Sequence, residues 1–229
     1  MISLTRRNSR ALIAIIAGMS ISKPALAGYG LVDGGFDAQG ATVADYCYFP
    51  NCPSGAWSGT TGFIHAGSMA WDNPVAVSPS TMSFVQFNQT ISQAFTATAS
   101  GNVRLVWYDQ ARQGFGGIET YSVTVNGTTV ATFAPTNSSF QRRVSTTFAL
   151  TSGVSYMIAF VGQTSGDNSA LIDSVDILPA SETSSYSYDA LGRLTFISHA
   201  GALTDGQTSS YQFDPADNRT NVTTSGVPQ

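Results

Sequence analysis

Few residues in this chain could do chemistry, and their spacing decides which kinds are open to it. The 229 residues hold two histidines, His65 and His199, two cysteines, Cys47 and Cys52, and fourteen thinly spread acidic residues. A Ser-His-Asp constellation would have to be assembled from unrelated loops, and neither a nucleophile elbow nor an H-E-x-x-H run occurs. Paired carboxylates can hydrolyse a glycoside, yet spacing favours no pair. The expectation is a protein that is not an enzyme. Side chains with binding chemistry are more concentrated. Trp107, Tyr108, Gln110 and Arg112 lie together ahead of a loop with Phe115, and Trp57 and Trp71 stand upstream. Sugars present apolar C–H faces and hydroxyls, so their sites combine aromatic platforms with amide, guanidinium or carboxylate groups. Tyr108, Gln110, Arg112, Trp57 and Trp71 are therefore the candidate ligand-binding residues. Trp107 shares its alternation phase with Val103 and Leu105, which points it into a core and turns Tyr108 outward.

The elements that must position these residues are strands. Apolar and polar residues alternate between turn residues over Phe84–Phe87, Ile91–Thr98, Val103–Asp109, Thr120–Asn126, Thr129–Ala134, Arg142–Leu150, Ser155–Val161 and Ala170–Leu178. Asn126-Gly127 suits a tight hairpin turn, because both residues tolerate positive φ. Many short strands with frequent turns predict an all-β sandwich or barrel. Residues 38–83 are less regular and read as long loops with one or two strands.

The first 27 residues are set apart. Arg6, Arg7 and Arg10 precede an apolar run, Ala11 to Met19, and Ala25-Leu26-Ala27 offers a small-x-small cleavage site. That order is a secretory signal peptide, and its apolar run falls short of the roughly 20 residues a membrane span needs. Cleavage leaves 202 residues with six arginines, no lysine and fourteen acidic residues, a formal charge of −8. Such a chain has no electrostatic footprint for nucleic acid or an anionic membrane. In an exported protein, Cys47 and Cys52 around Tyr48-Phe49-Pro50-Asn51 read as a disulfide pinning a loop. The alternative is two free thiols.

Several phrases, in order, resemble jelly-roll carbohydrate-binding modules of the galactose-binding-like superfamily. They are Asp33-Gly34-Gly35-Phe36-Asp37, Asp72-Asn73-Pro74, Ile91-Ser92-Gln93-Ala94-Phe95, Trp107 to Arg112, Gly116-Gly117, Tyr121 to Gly127, and Gly166 to Val175. Asp33 and Asp37 depart mildly from the Asn and Glu of the usual opening. The resemblance covers residues 29–179 and implies a jelly-roll β-sandwich that binds polysaccharide or glycan without chemistry. It also implies a structural calcium held by Asp37 and Asp173. Asp173 shares a phase with Leu171, Val175 and Ile177, so a core-facing carboxylate there would need compensation, and carboxylate oxygens suit calcium. Solvent or backbone hydrogen bonds could serve Asp173 instead.

The last fifty residues change character. A small-residue linker at 180–185 leads into Tyr188-Asp189-Ala190-Leu191-Gly192-Arg193-Leu194-Thr195. This phrase aligns with Phe213-Asp214-Pro215-Ala216-Asp217-Asn218-Arg219-Thr220. Both resemble the YD repeat of RHS proteins; the first matches fully, and the second departs at Phe213 and Asp217. Each repeat is a strand–turn–strand unit that needs stacked neighbours, so residues 186–229 are expected to form a short β-hairpin tail. The resemblance leaves a second role open, as the structural or interaction portion of an RHS-type surface or toxin-delivery protein.

Overall fold

In the computed structural model, which describes residues 29–114, 117–201 and 206–226, the alternating segments become antiparallel sheets. The proposed signal peptide lies outside the described residues. One sheet of seven strands runs β1 (Tyr46–Tyr48), β3 (Gly62–His65), β4 (Thr81–Gln86), β12 (Ser169–Pro179), β6 (Gly101–Ala111), β10 (Phe148–Leu150), with β9 (Gln141–Val144) also paired to β6. The facing sheet runs β2 (Trp57–Gly59), β5 (Thr90–Thr96), β11 (Ser155–Gly162), β7 (Tyr121–Val125), β8 (Thr128–Phe133). Together they make the expected jelly-roll β-sandwich. The predicted strand over Arg142–Leu150 is two strands, because the chain bends between them. There Ser145 exchanges backbone and side-chain bonds with Leu105, and Thr146 N–H donates to Val130 of the opposite sheet. Residues 38–83 supply three short strands rather than one or two, before β4 begins at Thr81.

The space between the sheets is filled by Phe36, Trp57, Phe63, Ile91, Leu105, Trp107, Tyr121, Val123 and Phe160. Each such side chain contributes about 1.5–3 kcal/mol by leaving water. A polar chain runs through this core. The Trp107 indole N–H donates to the Tyr121 hydroxyl at 2.7 Å, Tyr121 donates to Asp109 Oδ2 at 2.7 Å, and Arg143 Nε donates to Asp109 Oδ1 at 2.7 Å. Burial raises the Asp109 carboxyl above its ordinary range, with the Tyr121 and Arg143 hydrogen bonds opposing the shift.

The large sheet is covered on its outer face too. Ile64, Trp71, Met82, Phe84 and Leu171 form a second apolar cluster there, beneath the loop over residues 66–80. This explains why β4 is buried along its whole length. The Cys47–Cys52 disulfide closes the loop beside β1 and β3.

The tail folds as a four-stranded meander, β13 (Thr183–Tyr188), β14 (Leu194–Ala200), β15 (Thr208–Phe213) and β16 (Arg219–Ser225). The expected linker shrinks to residues 180–182, since β13 already pairs at Thr183. The β13–β14 and β15–β16 turns are built alike. Asp189 Oδ1 accepts the Leu191 and Arg193 N–H groups at 2.9 Å, and 25 residues later Asp214 Oδ1 accepts those of Ala216 and Asn218 at 2.9 Å. Both hairpins carry a register shift at the equivalent step, Ser187/Tyr188 and Gln212/Phe213. Gly192 has φ 79° and Asp217, at the matching place, φ 68°. Asp217 thus adopts the left-handed turn that glycine takes more readily.

Candidate functional site

On β6 the alternation separates two kinds of residue. Val103, Leu105 and Trp107 face the sandwich core, whereas Val106, Tyr108 and Gln110 belong to the outer face. Trp107 lies in the core and Tyr108 is half-buried. Above this end of the outer face, Asn73–Val77 on one side and Ser138–Phe140 on the other enclose a groove of about 360 Å³. Gln110 and Gln113 also line it. Val75 and Val77 are exposed large apolar residues in its wall, and Phe140 is half-buried.

Gln110 is the unusual member. It is only 4% exposed and lines the groove, yet its amide makes no side-chain hydrogen bond among the described residues. Its amide atoms are not among the buried polar atoms left without a partner, so they meet solvent in the groove. Two other buried glutamines, Gln39 and Gln93, are satisfied within the protein. Gln39 donates to the Pro53 and Trp57 carbonyls and accepts from Trp57 N–H, and Gln93 exchanges both bonds with Val32. Gln110 is therefore set apart as a group able to meet a ligand.

Three of the expected ligand residues are placed otherwise. Trp57 is buried between the sheets, packed on Phe36 with its ring centroid 4.8 Å away, and its indole N–H donates to the Asp33 carbonyl at 2.8 Å. Trp71 is buried in the outer cluster against Phe84. Arg112 covers Trp71 with its guanidinium 4.2 Å from the ring, donates to the Ala70 carbonyl at 2.9 Å, and reaches Asp72 and Asp167 at 3.6 and 3.9 Å. Trp71 and Arg112 hold the 66–80 loop onto the sheet, and neither indole can act as a surface platform. The physical reason is the size of the aromatic rings: in a sandwich with two covered faces, the largest apolar groups fill cores first. Tyr108 does not line the groove, and Phe115 lies outside the described residues. The groove's apolar wall at Val75, Val77 and Phe140 carried no signal in sequence beyond an irregular, Pro-containing stretch.

Asp37 and Asp173 both accept hydrogen bonds from the segment 77–81, Asp173 at Val77 and Ser78 and Asp37 at Ser80 and Thr81. Asp173 is fully buried; its Oδ2 accepts Val77 N–H at 2.7 Å and Ser78 N–H at 3.1 Å, and its Oδ1 accepts Ser174 N–H at 2.6 Å. Asp37 Oδ1 accepts Ser80 N–H and Thr81 N–H, each at 2.9 Å. Burial raises the Asp173 carboxyl above its ordinary range, and the hydrogen bonds from the Ser78 hydroxyl and from Ser78, Val77 and Ser174 N–H oppose the shift. Its side chain does not share a face with Val175 and Ile177. A β-bulge between Asp173 and Asp176, with Ser174 at φ 51°, shifts the phase, so that Leu171 belongs to the outer cluster while Val175 and Ile177 join the main core.

The oxygen set around these carboxylates suits a hard cation. Ser78 Oγ stands 2.6 Å from Asp173 Oδ1 and 2.9 Å from the Gly35 carbonyl, and its single proton can serve only one of them. A Cβ on Gly35 would lie 2.7 Å from Ser78 Oγ and 3.0 Å from Asp37 Oδ2, so both oxygens border one small space. Asp37 Oδ2 takes no hydrogen bond among the described residues. Among those residues no group of three His, Cys, Asp or Glu side chains assembles. A cation here would draw its remaining ligands from carbonyl and hydroxyl oxygens, which calcium accepts.

No helix among the described residues is long and apolar enough to cross a membrane. No sequence family matches the chain, and no curated protein matches it in sequence. Among solved structures it is similar to a family 61 carbohydrate-binding module in complex with β-1,4-galactotriose, at 12% identity over 66% of this chain and 97% of that one, with a TM-score of 0.44. A family 35 carbohydrate-binding module from Clostridium thermocellum is 18% identical over 47% of this chain and 84% of that one, with a TM-score of 0.36. A xylan-binding domain from Paenibacillus barcinonensis is 13% identical over 53% of this chain and 84% of that one, with a TM-score of 0.40.

Proposed function

We propose that this chain is an exported, non-catalytic module that binds polysaccharide or a cell-surface glycan in the groove beside β6. The observation that carries the reading is the Gln110 amide, which makes no side-chain hydrogen bond among the described residues and opens on a groove whose wall bears Val75, Val77 and Phe140. Sugar C–H faces would rest on the apolar wall, and ring hydroxyls would bond the amides of Gln110, Asn73 and Gln113. No group is transferred, so occupancy alone is the function.

Calcium belongs to this proposal as a stiffener. Asp37, Asp173 and the Gly35 carbonyl would hold it, and it would supply fixed positive charge to oxygens that share too few protons. Its effect would reach the groove through segment 77–81, because Val77 both donates to Asp173 and lines the groove. The test is a glycan array probed with residues 28–229, with calcium and with chelator. Bound polysaccharides whose signal falls on chelation support the whole reading; a blank array removes it.

A second reading, a structural segment of an RHS-type surface protein, is favoured by one observation, the equivalent turns at Asp189 and Asp214. A blank array with an intact tail sheet would leave that reading standing.

A further inference from the structure

The tail sheet repeats itself every 25 residues, and its outer strands lack what its inner strands have. Tyr186 and Tyr188 on β13 are 56% and 61% exposed, whereas their equivalents one repeat on, Tyr211 and Phe213 of β15, are half-buried. Val222 on β16 is 44% exposed, whereas its equivalent one repeat back, Ile197 of β14, is half-buried. The inner residues are covered because β14 and β15 pair with each other. Arg193 adds to that junction: its guanidinium lies 4.8 Å over the Phe213 ring and bonds Asp217. Among the described residues β13 pairs only with β14, and β16 only with β15. Each therefore presents a row of free N–H and C=O groups beside an uncovered apolar side chain, the condition under which sheet edges recruit a further strand.

We propose that a second copy of this chain occupies these edges, β16 of one copy pairing antiparallel with β13 of the next in the register of the β14–β15 junction. The two edges are complementary because they are the two halves of a junction the chain already makes once. Phe196 stands opposite Ser210 in that junction; carried by one repeat, Asn221 of one copy faces Ser185 of the next. Such a contact is head-to-tail, so it propagates into a chain of copies rather than closing a symmetric pair. It is weaker than the junction it copies, since Asn218 stands where Arg193 stands and Gly192 where Asp217 stands. The proposal concerns the tail alone and is independent of whether the groove binds glycan.

The register makes it testable by disulfide trapping. Cys47 and Cys52 are bonded to each other and no other cysteine is present, so introduced thiols report only their own contacts. Ser185→Cys and Asn221→Cys are made singly in the full mature chain, mixed in equal amounts, and oxidised mildly. Within one molecule β13 and β16 sit on opposite edges of the sheet, roughly 14 Å apart at about 4.8 Å per strand step, beyond the reach of a disulfide. The mixed Ser185→Cys/Asn221→Cys dimer should exceed the half share expected of random collision, and should fall when Tyr188→Ser is added. Circular dichroism on each variant verifies that the sheets are intact. Symmetric dimers of either variant in equal or greater yield, or no dimer in folded protein, would overturn the pairing.

Discussion

Arg193 in the first tail hairpin bonds Asp217 in the second, so one turn of the repeat holds the next. The same arginine donates to Asp189 Oδ2 of its own turn at 2.6 Å, a place taken in the second turn by Asn218, which donates to Asp214 Oδ2 at 3.1 Å. The two hairpins are thus one design used twice, with the inter-hairpin tie made once. Replacing Asp217→Asn, which removes the inter-hairpin ion pair and keeps the Arg193–Asp189 bond, should leave the sandwich's melting temperature unchanged. It should speed amide exchange in β15 and β16 while β13 and β14 keep their protection, measured by hydrogen–deuterium exchange. Equal exchange across both hairpins in the variant and the parent would show that the tie carries nothing.

Gln110 separates stability from binding. Most buried polar groups lose stability when replaced, because they leave a partner unsatisfied. Gln110 has none among the described residues, so Gln110→Leu should match or raise the melting temperature while glycan affinity falls at least about tenfold, roughly the 1.4 kcal/mol of one ligand hydrogen bond. A large loss of stability in this variant would mean the amide is structural.

The tryptophans should behave in the opposite way. Trp57→Ala removes a core side chain and should cost about 3–5 kcal/mol in urea unfolding. Tyr108→Ala, at a half-buried outer position, should cost much less. If Trp57→Ala folded normally and lost only glycan binding, its assignment to the core would be wrong.

The buried Asp109 sets a pH dependence. Its folded pKa is raised by burial, so the folded state takes up this proton before the unfolded state does. Stability from this group is fully present below the ordinary aspartate pKa and is lost as pH rises through the raised folded value. On acidification from neutrality the chain should therefore gain stability from Asp109, and Asp109→Asn should remove that part of the slope. Chemical unfolding of both proteins across the acidic range measures it. An unchanged slope in the variant would assign the effect to other groups.

Much of the fold was legible because strands announce themselves by alternation. The segment Tyr121–Val125 and the Asn126-Gly127 turn follow directly from period two and from two residues that accept positive φ. Reading failed where one residue breaks the count. The bulge at Ser174 moves Val175 and Ile177 to the face opposite Leu171, and nothing in the local residue types signals it. It failed again where a strand is covered twice, since β4 buries Ser83 and Thr81 as well as Phe84 and gives no amphipathic pattern. The site was the least legible part. Aromatic residues drew attention, but Trp57 and Trp71 went to the two cores, and the groove was left to Val75, Val77 and Phe140, brought together by loops distant in sequence. Gln110 lies just past the predicted strand end at Asp109 and was visible only by type, as an amide among the aromatic and basic residues of 107–112. The tail repeat was visible for a different reason: each turn depends on one aspartate, Asp189 or Asp214, accepting two backbone N–H groups.

The most direct test of the central claim is to titrate a soluble oligosaccharide, taken from an array hit, into isotopically labelled protein and follow the backbone amide resonances. The account predicts shifts confined to residues 73–77, 110, 113 and 138–140, abolished in Gln110→Leu. Shifts centred on other residues, or binding that persists in Gln110→Leu, would contradict it.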